Sequence, residues 1–311
     1  MGIFDKWFYK IKELRKLKKS KSAGIESKTN KWGWGFVSLS VLFISLFVFY
    51  PTVQSFITSL KSGAGNNLKF VGLGNYTRLL ADETFKKAVG NTFLYLIVQV
   101  PVMIVLALII ATALNDPKLK FKGFFRTSIF LPCITSLVAY SIIMKSIFAS
   151  NGLVNKFLMS LHIISVPIEW VTDPFWAKIL IIIAITWRWT GYNMIFYLSG
   201  LQNIDPSIYE AADIDGASTI KKFTKITVPL LKPIILFTTI TSTIGTLQLF
   251  DEVMNITKGG PANATTTISH YIYNLCFQYT PNFGYAAAVA YVVVIMIVIL
   301  SLIQFKVGGD D

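Results

Sequence analysis

The segment Tyr209-Glu210-Ala211-Ala212-Asp213-Ile214-Asp215-Gly216-Ala217 is polar, and apolar runs of membrane length stand on both sides of it, at 176–200 and 231–253. About 20 consecutive apolar residues span a bilayer. The polar segment is too hydrophilic to cross, so it connects two crossings at one membrane face. Working outward, further apolar runs come at 33–56, 88–114, 127–148 and 284–305. Backbone groups in lipid must be bonded within their own segment, which predicts a helix for each run. The expected fold class is all-α: a polytopic membrane protein with six transmembrane helices.

Composition agrees. The 311 residues are 53% hydrophobic and 14% charged, against about 25% charged in soluble domains. The net charge of +13 raises nucleic acid as a partner, but lysine and arginine collected in loops on one membrane face explain it better. Cys133, Cys276, His162 and His270 are isolated, so no metal site is expected. No G-x-x-x-x-G-K-[ST] phosphate loop occurs, and no nucleophile stands with a base. We therefore expect no catalytic residue, and no cofactor bound by this chain.

Two regions follow. Residues 1–32 form a basic cytoplasmic tail in which Trp7, Phe8, Ile11, Leu14 and Leu17 interleave with lysines. This reads as an amphipathic helix on anionic membrane lipids, or as a tail that serves orientation alone. The tail does not read as a cleaved signal peptide. Residues 33–311 form the six-helix domain, with the polar loop at 205–233. With the tail inside, Lys118, Lys120, Lys122, Arg126, Lys221, Lys222, Lys225, Lys232 and Lys306 join it there. Fewer cations, Lys61, Lys69, Arg78, Lys86, Lys87, Lys156 and Lys258, fall outside. The asymmetry predicts both termini and the polar loop in the cytoplasm. In the outer stretch before the last span, 265–277 is expected to form a short helix near the surface.

Within the polar loop, Asp205-Pro206 reads as an N-cap followed by proline at the first helical position. The helix should end near Asp213 or Ile214, with Gly216 permitting a sharp turn. Asp215 is expected to cap a second helix to about Phe223, and Val228-Pro229 to interrupt it. The small Ala211, Ala212 and Ala217 would allow a partner to approach closely, and Glu210 would offer it a carboxylate. A plain surface helix is the alternative.

Polar groups inside spans avoid lipid. The run Trp187-Arg188-Trp189-Thr190-Gly191-Tyr192-Asn193 combines ring faces with hydrogen-bonding groups. In the fifth span Thr241, Ser242, Thr243, Gly245, Thr246 and Gln248 form a small polar stretch, followed by Asp251. Such residues either line a transport path or pack helices together. The path candidates are Arg188, Trp189, Tyr192, Asn193, Thr246, Gln248 and Asp251. Arg188 lies near the middle of its span and should face a cavity or pair internally, with Asp251 or a partner subunit. An unbalanced cation there would suit an anionic substrate.

The pattern Glu210-Ala211-Ala212-x-x-Asp215-Gly216-Ala217, then Phe223-x-x-Ile226-x-x-Pro229-x-x-x-Pro233, closely resembles the EAA loop of ABC importer permeases with the MetI-like fold. Phe70-Val71-Gly72-Leu73-Gly74-Asn75-Tyr76, Gly200-Leu201-Gln202 and Thr257-x-Gly259-Gly260-Pro261 are similar to the carbohydrate-uptake branch, that of the maltose permease subunit MalF. This chain differs from MalF in having six spans rather than eight and no large outer domain. The resemblance implies a bacterial plasma-membrane permease that translocates a sugar or oligosaccharide by alternating access. It implies as partners a second homologous permease subunit, two ATPase subunits that hold ATP and Mg²⁺, and an extracellular solute-binding protein. Glu210, Ala211, Ala212, Asp215, Gly216 and Ala217 would form the coupling helix that docks on the ATPase. A glycerol-phosphate importer permease and a non-transporting membrane scaffold remain as alternatives. An ion-driven transporter fits less well, because the central spans have almost no Asp or Glu.

Overall fold

The computed structural model describes residues 32–64 and 67–309. The predicted amphipathic helix in the tail lies outside them. Two compact units are present, Met1–Ile57 and Thr58–Asp311. The described part of the first is helix α1 (Trp32–Ser59), whose last two residues belong to the second unit. Taken by itself, α1 is apolar on every side, as a lipid-facing helix must be. Pro51 lies in its interior, two residues after a π-helical turn at Ser45–Phe49. A wide turn leaves a carbonyl without its usual donor, and proline lacks that donor, so the two defects coincide.

The second unit begins with an antiparallel hairpin, β1 (Lys61–Ser62) and β2 (Lys69–Phe70), and a short helix α2 (Gly74–Ala81). Asp82 then caps α3 (Glu83–Asn115), accepting from Phe85 N at 3.0 Å. The same carboxylate accepts the hydroxyls of Tyr271 at 2.6 Å and Tyr285 at 2.7 Å. Burial pushes this carboxyl up, but hydrogen bonds from Tyr271, Tyr285, Phe85 and Thr84 outweigh it and hold the group below the usual carboxylate range. One side chain thus ties the start of α3 to α11 (Ile268–Tyr273) and α12 (Phe283–Gly309).

The third predicted span is not one straight helix. It is α4 (Lys122–Ile134) and α5 (Leu137–Ile147), bent by 105°. Pro132 sits inside α4 and is not where the chain bends. The break falls at Thr135, which is extended, and Ser136, which is non-helical. The Thr135 hydroxyl donates to the Pro132 carbonyl at 3.1 Å, a local bond that competes with continuing the helix. After α6 (Leu153–Ser160), Asn155 gathers the loop: its amide donates to the carbonyls of Ala149, Ser150 and Ile168, and its oxygen accepts from Ile168 N and the Trp170 indole. Asp173 and Pro174 then start α7 (Pro174–Gln202), the Asp173 carboxylate accepting from Phe175 N and Trp176 N.

The fifth predicted span is also revised. Helix α9 (Thr219–Leu230) and helix α10 (Lys232–Leu247) meet at a 70° bend, and α10 ends at Gln248 rather than at Val253. Its 16 residues rise about 24 Å, short of a hydrocarbon core of about 30 Å. The helices α1, α3, α7 and α12 are long and apolar enough to cross a membrane, and the total reaches six if each bent pair counts as one span. The short helix expected at 265–277 is present as α11 plus a π-helical turn at Asn274–Gln278. Its Ile268, His270 and Tyr271 are buried against the rest of the second unit.

Helix α3 lies along α7, α12 lies along α10, and α4 crosses α7. The last contact needs Gly191, where a β-carbon would come within 2.2 Å of the Ile129 carbonyl oxygen. Apolar side chains not used in these contacts, among them Ile97, Val105, Ile109, Ile295, Val298 and Leu302, are exposed in broad belts. A soluble protein rarely shows such continuous apolar surface; a bilayer requires it.

Candidate functional site

Two features stand out: a polar elbow between α7 and α10, and a cavity between the walls those helices supply. The elbow begins three residues after α7. Asp205 accepts from Ser207 N at 3.0 Å and starts α8 (Pro206–Ile214). That exposed carboxyl is held below its usual range mainly by the Ser207 backbone N–H.

Helix α8 ends as the sequence predicts, through Gly216 with φ of 69°. The Gly216 N–H donates to the Asp213 carbonyl and the Ala217 N–H to the Ala212 carbonyl, at 3.1 and 2.9 Å. This is the paired closure that a left-handed residue after a helix permits. Helix α9 is capped by Ser218, not by Asp215; the Ser218 hydroxyl accepts from Lys221 N at 3.4 Å. Pro229 does not interrupt α9 either, because a π-helical turn at Phe223–Thr227 precedes it. The break comes two residues later, at Leu231.

The elbow is braced. Lys222 pairs with Asp213 at 2.6 Å, and the Tyr209 and Thr227 hydroxyls bond at 2.9 Å. Glu210, Ala211, Asp215 and Gly216 are exposed, Ala217 is half-buried and Ala212 is buried. Ile214 and Ile220 stand 88% and 76% exposed. The sequence reading passed over both, although an isoleucine on each side of a glycine turn in a polar loop was signal enough for an apolar contact.

Beyond the elbow the two helices are locked together. Leu231 is buried against Met194, Tyr197, Leu198 and Leu201 of α7. Gly200 makes room for this: a β-carbon there would meet Ile234 at 2.3 Å and Leu231 at 2.7 Å. The Tyr197 and Thr238 hydroxyls bond at 2.6 Å.

The cavity holds about 230 Å³. Trp189 and Tyr192 of α7 supply its aromatic side, and Thr241, Ser242, Gly245 and Thr246 of α10 its hydroxyl side, with Gln99 of α3 at its back. The Trp189 and Tyr192 rings meet edge to face at 5.6 Å. The Thr246 hydroxyl lies 3.1 Å from the Gln99 carbonyl oxygen, and the Gln99 amide donates to the Met103 sulfur at 3.2 Å. A thioether is a weak acceptor, so this amide donor is only weakly engaged. Among the described residues, no charged side chain lines this cavity.

Among the predicted path residues, Trp189, Tyr192 and Thr246 are brought together here. Asn193 lies behind the wall, 1% exposed, donating to the Trp189 carbonyl at 2.9 Å and to the Met103 sulfur at 3.2 Å. Gln248 and Asp251 are exposed and do not line the cavity. Arg188 does not line it either. Its partner is Glu252 rather than the expected Asp251, at 3.0 Å, with side-chain exposures of 14% and 5%. The guanidinium also lies 5.6 Å from the Trp189 ring centre and 5.9 Å from that of Tyr140. A cation balanced in this way no longer argues for an anionic substrate. Gln99 was missed because it belongs to a helix whose polar residues are few and scattered; only packing shows that it faces α10.

Residues 72–307 match the family described as binding-protein-dependent transport system inner membrane component. The lactose transport system permease protein LacF of Rhizobium radiobacter is 60% identical over 89% of this chain and 94% of its own length. The arabinooligosaccharides transport system permease protein AraP of Bacillus subtilis (strain 168) is 36% identical over 88% of each. A bacterial ABC transporter chain involved in the import of the acidic polysaccharide alginate, known from a crystal structure, superposes with a TM-score of 0.80 at 21% identity, covering 91% of this chain and 97% of that one. The bent spans, the capped elbow and these likenesses lead to one assignment: this all-α, multi-pass membrane protein belongs to the binding-protein-dependent transport system inner membrane component family, with the MetI-like ABC permease fold.

Proposed function

We propose that the chain is the sugar-translocating permease subunit of an ABC importer, and that its substrate is a neutral di- or oligosaccharide. The observation that carries this is the cavity: ring faces, hydroxyls and one amide converge on it, and among the described residues no charged side chain does. Sugars present C–H faces to rings and hydroxyls to polar groups, which is the division of labour these walls offer. The names of LacF and AraP point the same way. The absence of cationic lining disfavours a glycerol-phosphate substrate.

In this reading α8 and the turn at Gly216 dock on a partner ATPase, which holds ATP and Mg²⁺. Glu210 meets a cation there, Ile214 and Ile220 fill apolar hollows, and Ala211 and Ala217 allow close approach. A second homologous permease subunit closes the cavity from its open side, and an extracellular solute-binding protein delivers the sugar. Both termini lie in the cytoplasm. ATP-driven closure of the ATPases moves the elbow. The α7–α10 pair follows as one body, and the cavity changes the side to which it opens.

Uptake of radiolabelled lactose and of arabinooligosaccharides by the reconstituted transporter tests the proposal. Trp189→Ala should lower uptake per folded transporter by at least tenfold while leaving ATPase association intact. Wild-type uptake by that variant would refute the placement of the sugar. A failure of the wild type to transport any sugar with ATP would favour a scaffold.

A further inference from the structure

A second cavity, of about 570 Å³, lies at the end of the molecule opposite the elbow, where α3 and α7 begin. Its walls are Lys87, Asn91 and Leu94 of α3, Lys178 of α7 and the loop around Asn263. Among the described residues, Lys87 and Lys178 are its only charged lining residues, and neither has an ion-pair partner. Nearby Glu83 is taken by Lys86 at 2.8 Å, and the Asp173 carboxylate is taken by the backbone at the start of α7. Lys178 is half-buried, one turn inside an apolar helix. An unpaired cation at that depth needs an anion or a path to the interface.

The loop wall is held in place. The Asn91 amide donates to the carbonyls of Asn263 at 3.2 Å and Thr266 at 3.0 Å. The Thr257 and Thr265 hydroxyls bond at 2.7 Å behind it, and Thr265 donates to Gly260 O at 2.9 Å.

The α3 face below the cavity identifies the occupant. Lys87, Asn91, Leu94, Val98, Val102 and Val105 recur at helical spacing and share one stripe. Leu94, Val98, Val102 and Val105 are 38, 37, 45 and 54% exposed. From Leu94 to Val105 the helix rises about 16 Å, roughly the depth of one leaflet, half of a hydrocarbon core of about 30 Å. A cationic mouth above an apolar strip of leaflet depth matches a phosphate head above an acyl chain. It does not match a free sugar or a soluble anion.

We infer that this cavity binds an anionic phospholipid, its phosphodiester between Lys87 and Lys178 and an acyl chain along the α3 stripe. Full-length protein, delipidated in mild detergent, is titrated with phosphatidylglycerol and with phosphatidylcholine of the same chains, and bound lipid is counted by native mass spectrometry. Inorganic phosphate alone is the second arm. Phosphatidylglycerol should bind about thirtyfold more tightly than phosphatidylcholine, corresponding to two lysines at about 1 kcal/mol each. The preference should vanish in Lys87→Gln/Lys178→Gln and persist in Lys87→Arg/Lys178→Arg, which also controls for folding. An unchanged preference in the glutamine variant, or none in the wild type, overturns the site. Inorganic phosphate that displaces phosphatidylglycerol at equal concentration overturns the lipid assignment.

Discussion

Removing one member of the Arg188–Glu252 pair should destabilise the protein far more than removing both. The two groups meet at 3.0 Å with side-chain exposures of only 14% and 5%, so neither can turn to water when its partner is lost. Breaking a buried ion pair costs about 3–5 kcal/mol, chiefly from the charge left behind. The aromatic faces of Tyr140 and Trp189 near Arg188 soften that penalty on the cationic side. Glu252→Gln is therefore expected near the lower end, about 3 kcal/mol, a factor of roughly 150 in the unfolding equilibrium. Arg188→Met should cost no more than this, since the carboxyl left behind can take up a proton whereas a guanidinium cannot lose one. The double change Arg188→Met/Glu252→Gln should come within about 1 kcal/mol of wild type, because both charges leave together. Unfolding in mixed detergent micelles, followed by tryptophan fluorescence, measures all four proteins. Additive effects in the double variant would refute the claim that these groups are held by each other.

Four further outcomes are expected. Gly191→Ala drives a β-carbon to within 2.2 Å of a backbone oxygen of α4 and should cost about 1–3 kcal/mol by overpacking. Gly245→Ala meets nothing within 4 Å, so it should leave thermal stability unchanged and reduce sugar uptake by narrowing the cavity; a drop in melting temperature would contradict this. Glu210→Lys should weaken ATPase association at least tenfold in pull-downs without changing the melt, since the side chain is exposed; undiminished association would remove Glu210 from the contact. Burial lowers the His270 pKa, and its Nδ1 is enclosed without a partner among the described residues. The fold thus favours the neutral ring. Its contribution is complete above the ordinary imidazole value of about 6.5 and is lost as pH falls below it. Melts from pH 8 to 5 should show this decline in wild type and a shallower one in His270→Phe; identical slopes would count against it.

The local features were legible in the sequence because their causes lie within a few residues. Asp205-Pro206 starts α8 and Gly216 ends it, through bonds no longer than five residues, and the apolar runs declare their helices through length alone. Even here the choice of Ser218 over Asp215 as cap of α9 turned on the extended backbone at Ser218, which only the folded turn imposes.

What required the tertiary structure was direction. A helix apolar on all sides carries no periodic mark of which face meets protein, so neither the Gln99–Thr246 contact nor the retreat of Asn193 behind the cavity wall was readable from spacing. The bends at Thr135 and Leu231 likewise escaped a hydropathy reading, which sees composition and not axis. The membrane's demand for internally bonded backbone determined that this chain is a set of apolar helices around a polar elbow. Close packing between distant segments, through gaps such as those at Gly191 and Gly200, decided which side chains share a cavity and which carboxylate answers Arg188.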